Sequence, residues 1–344
     1  MKITYLGNFN DKNFEGLITI LRSLKKHFKK YDLSINNINE DTQIVHIHSS
    51  GFYESIKYKK IKYKKIYSLH SNINNNPFNL IKDYLDDFSK IDSRKKRIYS
   101  KKDKFIKIFM RLLSNFTPIF IKKHFLKKMD LVVLPNKFIS NKLKIKNSRI
   151  IHQGINIKKF KKIKNKNNKI NVRYFGHSAS AKGLIETIES FRYLENRYNT
   201  EIFLTSLNSK LKKYIEKNSS KTKVHGLTKN IVKEYNISDI IILPYRHTGG
   251  AIATPLVLIE AMACECAIIT ADLPHLREIC GNSVLYVKPY SVKDIIKKIN
   301  YLADNTHLRK TLGKRARKRV VKYYNQETMF KEYERLYNEM INSS

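Results

Sequence analysis

A chain of 344 residues is long enough for two domains with cores of their own, and 42% apolar content belongs to a globular protein, not a disordered polycation. The charge is unusual: 68 Lys and Arg against 29 Asp and Glu give +39. Such a chain is drawn to anionic membrane, nucleic acid or anionic polysaccharide, and charge alone does not choose among them. Cys264, Cys266 and Cys280 make no disulfide framework and read as buried thiols of a reducing compartment. The opening Met1-Lys2-Ile3-Thr4-Tyr5-Leu6-Gly7 turns polar too soon for a signal peptide, and no apolar run reaches the ~18 residues of a membrane span. The expectation is a cytoplasmic protein.

Strand-like apolar runs fall at 3–6, 44–47, 66–69, 131–134, 172–175, 202–205, 240–243 and 267–270. Helical patterns lie between many of them, as in Leu184, Ile188, Phe191 and Leu194 at three-to-four-residue spacing. Alternation of this kind predicts α/β architecture: parallel sheets covered on both faces, in two doubly wound, Rossmann-like domains facing a central cleft. The Lys/Asn run at 158–169 reads as the linker, which sets the domains at 1–156 and 157–323, with a last helix over 324–344.

Taken in chain order, the first strand leads into Glu15-Gly16 ahead of a helix. The second ends on His46-Ile47-His48-Ser49, and the third on Tyr67-Ser68-Leu69-His70. The stretch 94–149 holds 18 Lys and Arg against Asp103 and Asp130. In it Phe105, Ile108, Phe109, Leu112, Leu113 and Phe116 fall at helical spacing among lysines. A basic amphipathic helix of this type either packs on its own sheet or lies in the interface of an anionic bilayer. Past the linker, Val172-Arg173-Tyr174-Phe175-Gly176-His177 runs through a loop to Lys182-Gly183 and a helix.

The segment Gly249-Gly250-Ala251-Ile252-Ala253-Thr254-Pro255 precedes the apolar helix Leu256-Val257-Leu258-Ile259-Glu260-Ala261-Met262-Ala263. Thr254 reads as the N-cap and Pro255 as the first helical residue. The glycines allow close backbone approach, and the helix N-terminus offers free N–H groups to an anion, phosphate above all. Glu260 lies roughly 7–8 Å further along the axis, at 1.5 Å per residue. In so apolar a helix a carboxylate is expected to be hydrogen-bonded, and vicinal sugar hydroxyls suit it.

These stretches, with Ala267-Ile268-Ile269-Thr270-Ala271-Asp272 followed by Pro274, Arg277 and Glu278, and the tail from Tyr324 to Tyr337, resemble GT-B glycosyltransferases. Specifically they are similar to the retaining glycosyltransferase family 4, also called glycosyl transferases group 1. The resemblance is strongest over 130–340. It implies a retaining, metal-independent enzyme that moves a sugar from a nucleotide-sugar donor to a cell-surface glycan or lipid-linked acceptor at the inner face of the membrane. No cofactor is implied, the nucleotide sugar being a substrate. Carried over residue by residue, it makes His70 and Lys182 the catalytic positions. Gly176, His177, Lys182, Gly249, Gly250, Thr254 and Glu260 would bind the donor, and His48 and Gly16 would lie on the acceptor side.

The chain departs from the family pattern at several points. The first of the family's paired glutamates is Ile252, its arginine is His177 or Ser178, and the small residue after Ala-Met-Ala is Glu265. Ile151-His152-Gln153-Gly154-Ile155-Asn156 resembles the family's Pro-Asn-Gly-Val-Asp segment with Gln153 and Asn156 substituted. The departures leave open a non-catalytic protein that binds membrane or a partner. A nucleic-acid binder rests on charge alone, without zinc-ligand spacing or RRM-type aromatics.

Overall fold

The computed structural model describes residues 2–6, 15–28, 32–49, 53–70, 82, 83, 86, 117–163, 169–250 and 253–343. Six strands form a first parallel sheet: β1 (Lys2–Leu6), β2 (Asp32–Ile35), β3 (Ile44–Ser49), β4 (Lys64–Leu69), β5 (Leu131–Leu134) and β6 (Ser148–Ile150), in the order β2-β1-β3-β4-β5-β6. Six more form a second: β7 (Asn171–Gly176), β8 (Asn199–Leu204), β9 (Lys223–His225), β10 (Ile240–Leu243), β11 (Ala267–Ala271) and β12 (Leu285–Val287), in the order β12-β11-β10-β7-β8-β9. Each order reverses direction once, between β1 and β3 and between β7 and β10. In open α/β sheets ligands sit beyond the strand ends at such reversals.

The helices of the first half are α1 (Glu15–His27), α2 (Tyr53–Lys57), α3 (Ile119–Leu126) and α4 (Lys137–Leu143). The second half carries α5 (Leu184–Leu194), α6 (Ser209–Asn218), α7 (Ile231–Asn236), α8 (Leu256–Ala263), α9 (Pro274–Cys280), α10 (Val292–Asp304) and α11 (Thr306–Tyr323). The chain ends in α12 (Gln326–Asn342). Strand side chains alternate between two buried faces, as parallel strands covered on both sides require. On β10, Ile240 and Ile242 join one core, while Ile241 and Leu243 join the other. The same split places Ile3, Tyr5 and Ile44 on one face of the first sheet and Leu6, Val45 and Ile47 on the other.

The chain passes between the halves twice, at one point. Ile155 N–H donates to Tyr324 O and Gln326 N–H to Ile155 O, at 2.9 and 3.0 Å. A Cβ on Gly154 would lie 2.6 Å from the Asn325 backbone, so only glycine lets the two crossings touch there. Beyond the crossing α12 lies on the first sheet, where Met329, Phe330, Tyr333, Leu336 and Tyr337 pack with Ile3, Tyr5 and Leu24.

Within the run read as a linker, Phe160 is buried beside Tyr235 in the core of the second sheet. One sequence expectation is corrected. Thr254 is not the cap of α8. Pro255 takes an extended conformation (ψ 114°) and itself occupies the N-cap position, with no side-chain hydrogen bond. That leaves Thr254 one residue too far out. Ala251 and Ile252, and with them the position of the missing glutamate, lie outside the described residues, as does 94–116 of the basic stretch.

Candidate functional site at the two strand-end crevices

At the β7/β10 reversal the chain leaves β7 at Gly176 and makes a 3-10 turn at Ser180–Lys182 before α5. Gly183 joins turn to helix with φ +77°, and a Cβ there would fall 2.0 Å from Pro244 O just past β10. Only glycine satisfies both the left-handed backbone and that approach. The turn is held against the β10 end by Arg246 N–H donating to Ala181 O at 3.1 Å. Lys182 Nζ stands 5.3 Å from the Tyr245 ring centroid. His177 Nδ1 lies 2.6 Å from Thr205 Oγ1, and Tyr174 Oη donates to the His177 carbonyl at 3.2 Å. Gly249 and Gly250 form a second 3-10 turn, Thr248–Gly250, on the same rim.

Glu260 projects from α8 toward α7, where Tyr235 Oη donates to its Oε2 at 3.0 Å. Burial raises the Glu260 pKa, and the Tyr235 bond and Lys159 only partly oppose it. The carboxylate is only partly exposed to solvent. It is an acceptor at the end of an aromatic row in which Phe175 stacks on Phe203 and Phe203 on His225, centroids 4.7 and 4.4 Å apart. Tyr235 meets Phe175 edge-on at 5.0 Å. The thiols of Cys264 and Cys280 are buried and pushed up to about 12 by desolvation, which makes them poor nucleophiles and poor metal ligands.

Across the cleft, His48 and His70 leave adjacent strands of the first sheet. His70 Nε2 is 3.0 Å from His48 Nδ1, and Gln153 Nε2 is 2.8 Å from His70 Nδ1. His46, two residues before His48, is held by Tyr337 Oη and Ser68 Oγ at 2.7 Å each. Burial lowers all three histidine pKa values, His70 to about 4, so the rings are neutral near pH 7. Gly16 is the second residue of α1 and is not among these groups.

The two sides touch. Ala253 N–H donates to His70 O at 3.3 Å, and Asn136 Nδ2 donates to Ala253 O at 3.2 Å. The approach to α8 thus docks on the strand end that carries His70, and the Thr254 hydroxyl is buried there with no partner among the described residues. Glu278 of α9 reaches over to accept the Lys137 and Phe138 N–H groups at 2.7 and 2.8 Å, anchoring the free N-terminus of α4. His70, Thr254 and the start of α8 therefore converge. Glu260 faces Tyr235 and the aromatic row instead.

Sequence reading missed a third interdomain contact. Arg246, 3% exposed in its side chain, bonds Glu186 at 2.9 Å, Asp83 at 3.3 Å, and Asp86. Burial opposes its charge, yet Glu186 and Asp86 push the guanidinium pKa up. His247 Nε2 adds a 2.6 Å contact to Asp83. The signal available was position: Arg246-His247 follows Pro244 at the end of the strand beside the reversal. His275 was missed as well. It is fully buried near Lys182, with neither ring nitrogen bonded among the described residues and a pKa near 3 from desolvation and that lysine.

Comparison with known proteins bears on the fold and the family. Residues 156–319 match the family model described as Glycosyl transferases group 1. An uncharacterized glycosyltransferase of Methanocaldococcus jannaschii is 27% identical over 74% of this chain and 71% of its own length. The capsular polysaccharide biosynthesis glycosyltransferase CapM of Staphylococcus aureus is 24% identical over 56% of this chain and 54% of its own. Among solved structures, Anabaena HepE in complex with UDP-glucose superposes with a TM-score of 0.71 at 11% identity, over 98% of this chain and all of that one. The chain is a glycosyltransferase with the two-sheet GT-B fold, and over residues 156–319 it is similar to the glycosyl transferases group 1.

Proposed function

We propose that the chain transfers a sugar from a nucleotide-sugar donor to a glycan or lipid-linked acceptor in cell-surface polysaccharide synthesis, with retention of configuration and without a metal. The observation that carries this reading is the placement of Glu260, a partly buried acceptor held by Tyr235 beside an aromatic row at the second sheet's strand ends. Ribose hydroxyls of a nucleotide satisfy such a carboxylate, and the diphosphate falls to the rim of Gly176, His177, Lys182, Gly249, Gly250 and Thr254. There Lys182 and backbone N–H groups oppose the charge that grows on the leaving group. His70 borders the space between donor and acceptor. Retention and metal independence are carried over from the family resemblance. The capsular relative supports a polysaccharide product, and the UDP-glucose complex of HepE supports a nucleotide-sugar donor.

The same reading puts the protein at an anionic membrane surface. On α3, Ile119 and Phe120 are 41% and 68% exposed beside Lys123, Lys127 and Lys128, which belong to the basic stretch. No described helix is long and apolar enough to cross a bilayer. Sedimentation with phosphatidylglycerol vesicles, lost in Phe120→Asp, tests this part.

The donor site is tested by thermal unfolding with UDP, GDP, ADP and their sugars, with Glu260→Ala in parallel. A nucleotide at 100 times its Kd stabilises the fold by about 2.7 kcal/mol. The expected result is a shift with one nucleotide that disappears in the variant. A shift with none of them rejects the donor assignment.

A further inference from the structure

Hydrogen-bond polarity at the first sheet's crevice points to a function for Gln153 that goes beyond the residues placed so far, and it rests on the glycosyl-transfer reading. Gln153 is 4% exposed and belongs to the crossing segment, where the contact of Gly154 with the Asn325 backbone holds it in place. Its amide nitrogen is a donor and cannot accept. With the amide turned this way, its buried Oε1 having no partner among the described residues, His70 Nδ1, 2.8 Å away, carries the lone pair and the His70 proton sits on Nε2. That N–H points at His48 Nδ1, 3.0 Å away, which must accept and so sends the His48 proton to Nε2. One amide thus sets two tautomers in series. The chain ends at His48 Nε2, an N–H with no partner among the described residues in a side chain that is 1% exposed. A buried donor left unpaired is destabilising, so a group that supplies its partner is favoured there.

The open end lies at the reversal of the first sheet. The register pairs Leu6, the last residue of β1, with Ile47, so His48 is the first residue of β3 past the end of β1. The neighbouring ring of Tyr5, edge-on at 4.8 Å, gives His48 no acceptor on that side. An oxygen entering the β1/β3 crevice is the ligand that this N–H can take.

We propose that Gln153 is a positioning residue: by donating to His70 it polarises the Gln153–His70–His48 chain so that His48 Nε2 presents an N–H to a hydroxyl oxygen of the acceptor. The bond fixes that hydroxyl's lone pair toward His48 and leaves its own proton free to point away, toward the donor. No charge moves along the chain. Its purpose is orientation, which is worth much of the barrier when two substrates must meet.

The test replaces Gln153 with glutamate, which has nearly the same shape and can only accept from His70. The full chain, labelled with 15N-histidine, is read by long-range 1H–15N correlation at pH 7.5, together with turnover of the nucleotide sugar identified by the unfolding screen. The wild type is expected to show His70 and His48 both protonated on Nε2, and Gln153→Glu to show both protonated on Nδ1. Turnover is expected to fall at least tenfold with the half-saturating donor concentration within twofold of wild type. Gln153→Asn, which keeps the amide on a shorter arm, is expected to retain the wild-type tautomers and a larger share of turnover. Unchanged tautomers in Gln153→Glu overturn the proposal, and so do inverted tautomers with unchanged turnover. If the wild type processes no nucleotide sugar, the transfer reading fails and takes the acceptor contact with it. The tautomer spectra then still decide whether Gln153 sets the polarity.

Discussion

The two strand-end crevices meet where Ala253 bonds His70 but use opposite chemistry. At the first sheet the groups are neutral: His46, His48, His70, Gln153, Ser68 and Tyr337, buried and joined by hydrogen bonds between uncharged partners. At the second they are charged or prepared for charge: Lys182, Arg246 with its three carboxylates, Glu260, and two glycine-marked 3-10 turns. A hydroxyl nucleophile needs orientation and no counter-charge, whereas a diphosphate needs cations and backbone N–H groups. The asymmetry follows the division between acceptor and donor proposed for the two halves.

Arg246→Ala should break the charged side most severely. It leaves Asp83, Asp86 and Glu186 without their guanidinium, and removing one partner of a buried ion pair costs about 3–5 kcal/mol. Urea unfolding measures it, and a loss under 1 kcal/mol would show that water reaches the cluster. The next largest effect singles out the neutral side. His70 takes its proton near 6.5 when unfolded but near 4 in the fold, because burial disfavours the cation. Between those values the unfolded chain binds more protons. Stability is therefore full above pH 6.5 and falls on acidification by about 3 kcal/mol for this histidine alone. His46 and His48 shift in the same direction. Unfolding titrations from pH 7 to 4 should show this slope, reduced in His70→Gln; an equal slope in the variant would place the acid sensitivity elsewhere.

Glu260→Gln sharpens the contrast further. Burial raises this carboxyl's pKa in the fold, so above the unfolded value near 4.5 its ionisation works against folding as pH rises. The amide carries no such penalty and still accepts from Tyr235. The variant is expected to be more stable than wild type at pH 7 and to lose its response to nucleotide. That pairing marks a residue kept for binding at the expense of stability. A variant that is less stable at pH 7 would mean that the charge itself is structurally needed.

How much of this was legible in the sequence depended on where each residue sits. All eight strands read from apolar runs are present, and the four that were missed, β2, β6, β9 and β12, are the four sheet edges. An edge strand has a neighbour on one side only and needs fewer apolar residues, so Asp32–Ile35 and Lys223–His225 carry no run to detect. The helix at Leu184 and the turn at Lys182-Gly183 that leads into it were readable because their signals are local. The Arg246 cluster was not, since its carboxylates lie about 60 and 160 residues away and nothing local marks them as partners. Gln153 stood out only as a departure from a family pattern. Its meaning required the distance to His70, 83 residues earlier.

The smallest expected effect concerns Glu265, where the family pattern has a small residue. Its φ of 58° is left-handed, and the Glu265 carbonyl is pinned where a Cβ on Gly313 would lie 2.2 Å from it. The backbone cannot relax out of that conformation without moving α11 off the C-terminal end of α8. A non-glycine residue there costs roughly 1–2 kcal/mol. Glycine removes that cost but gives back about 0.5–1 kcal/mol through the greater freedom of the unfolded chain. Glu265→Gly should therefore raise stability by about 0.5–1 kcal/mol, seen as a higher urea midpoint with an unchanged slope. Because the residue sits at the far end of α8 from Thr254, the nucleotide response should be unaffected. A lower midpoint would mean that the glutamate side chain contributes more than its strained backbone costs. An altered nucleotide response would mean that α8 transmits strain along its whole length to the donor rim.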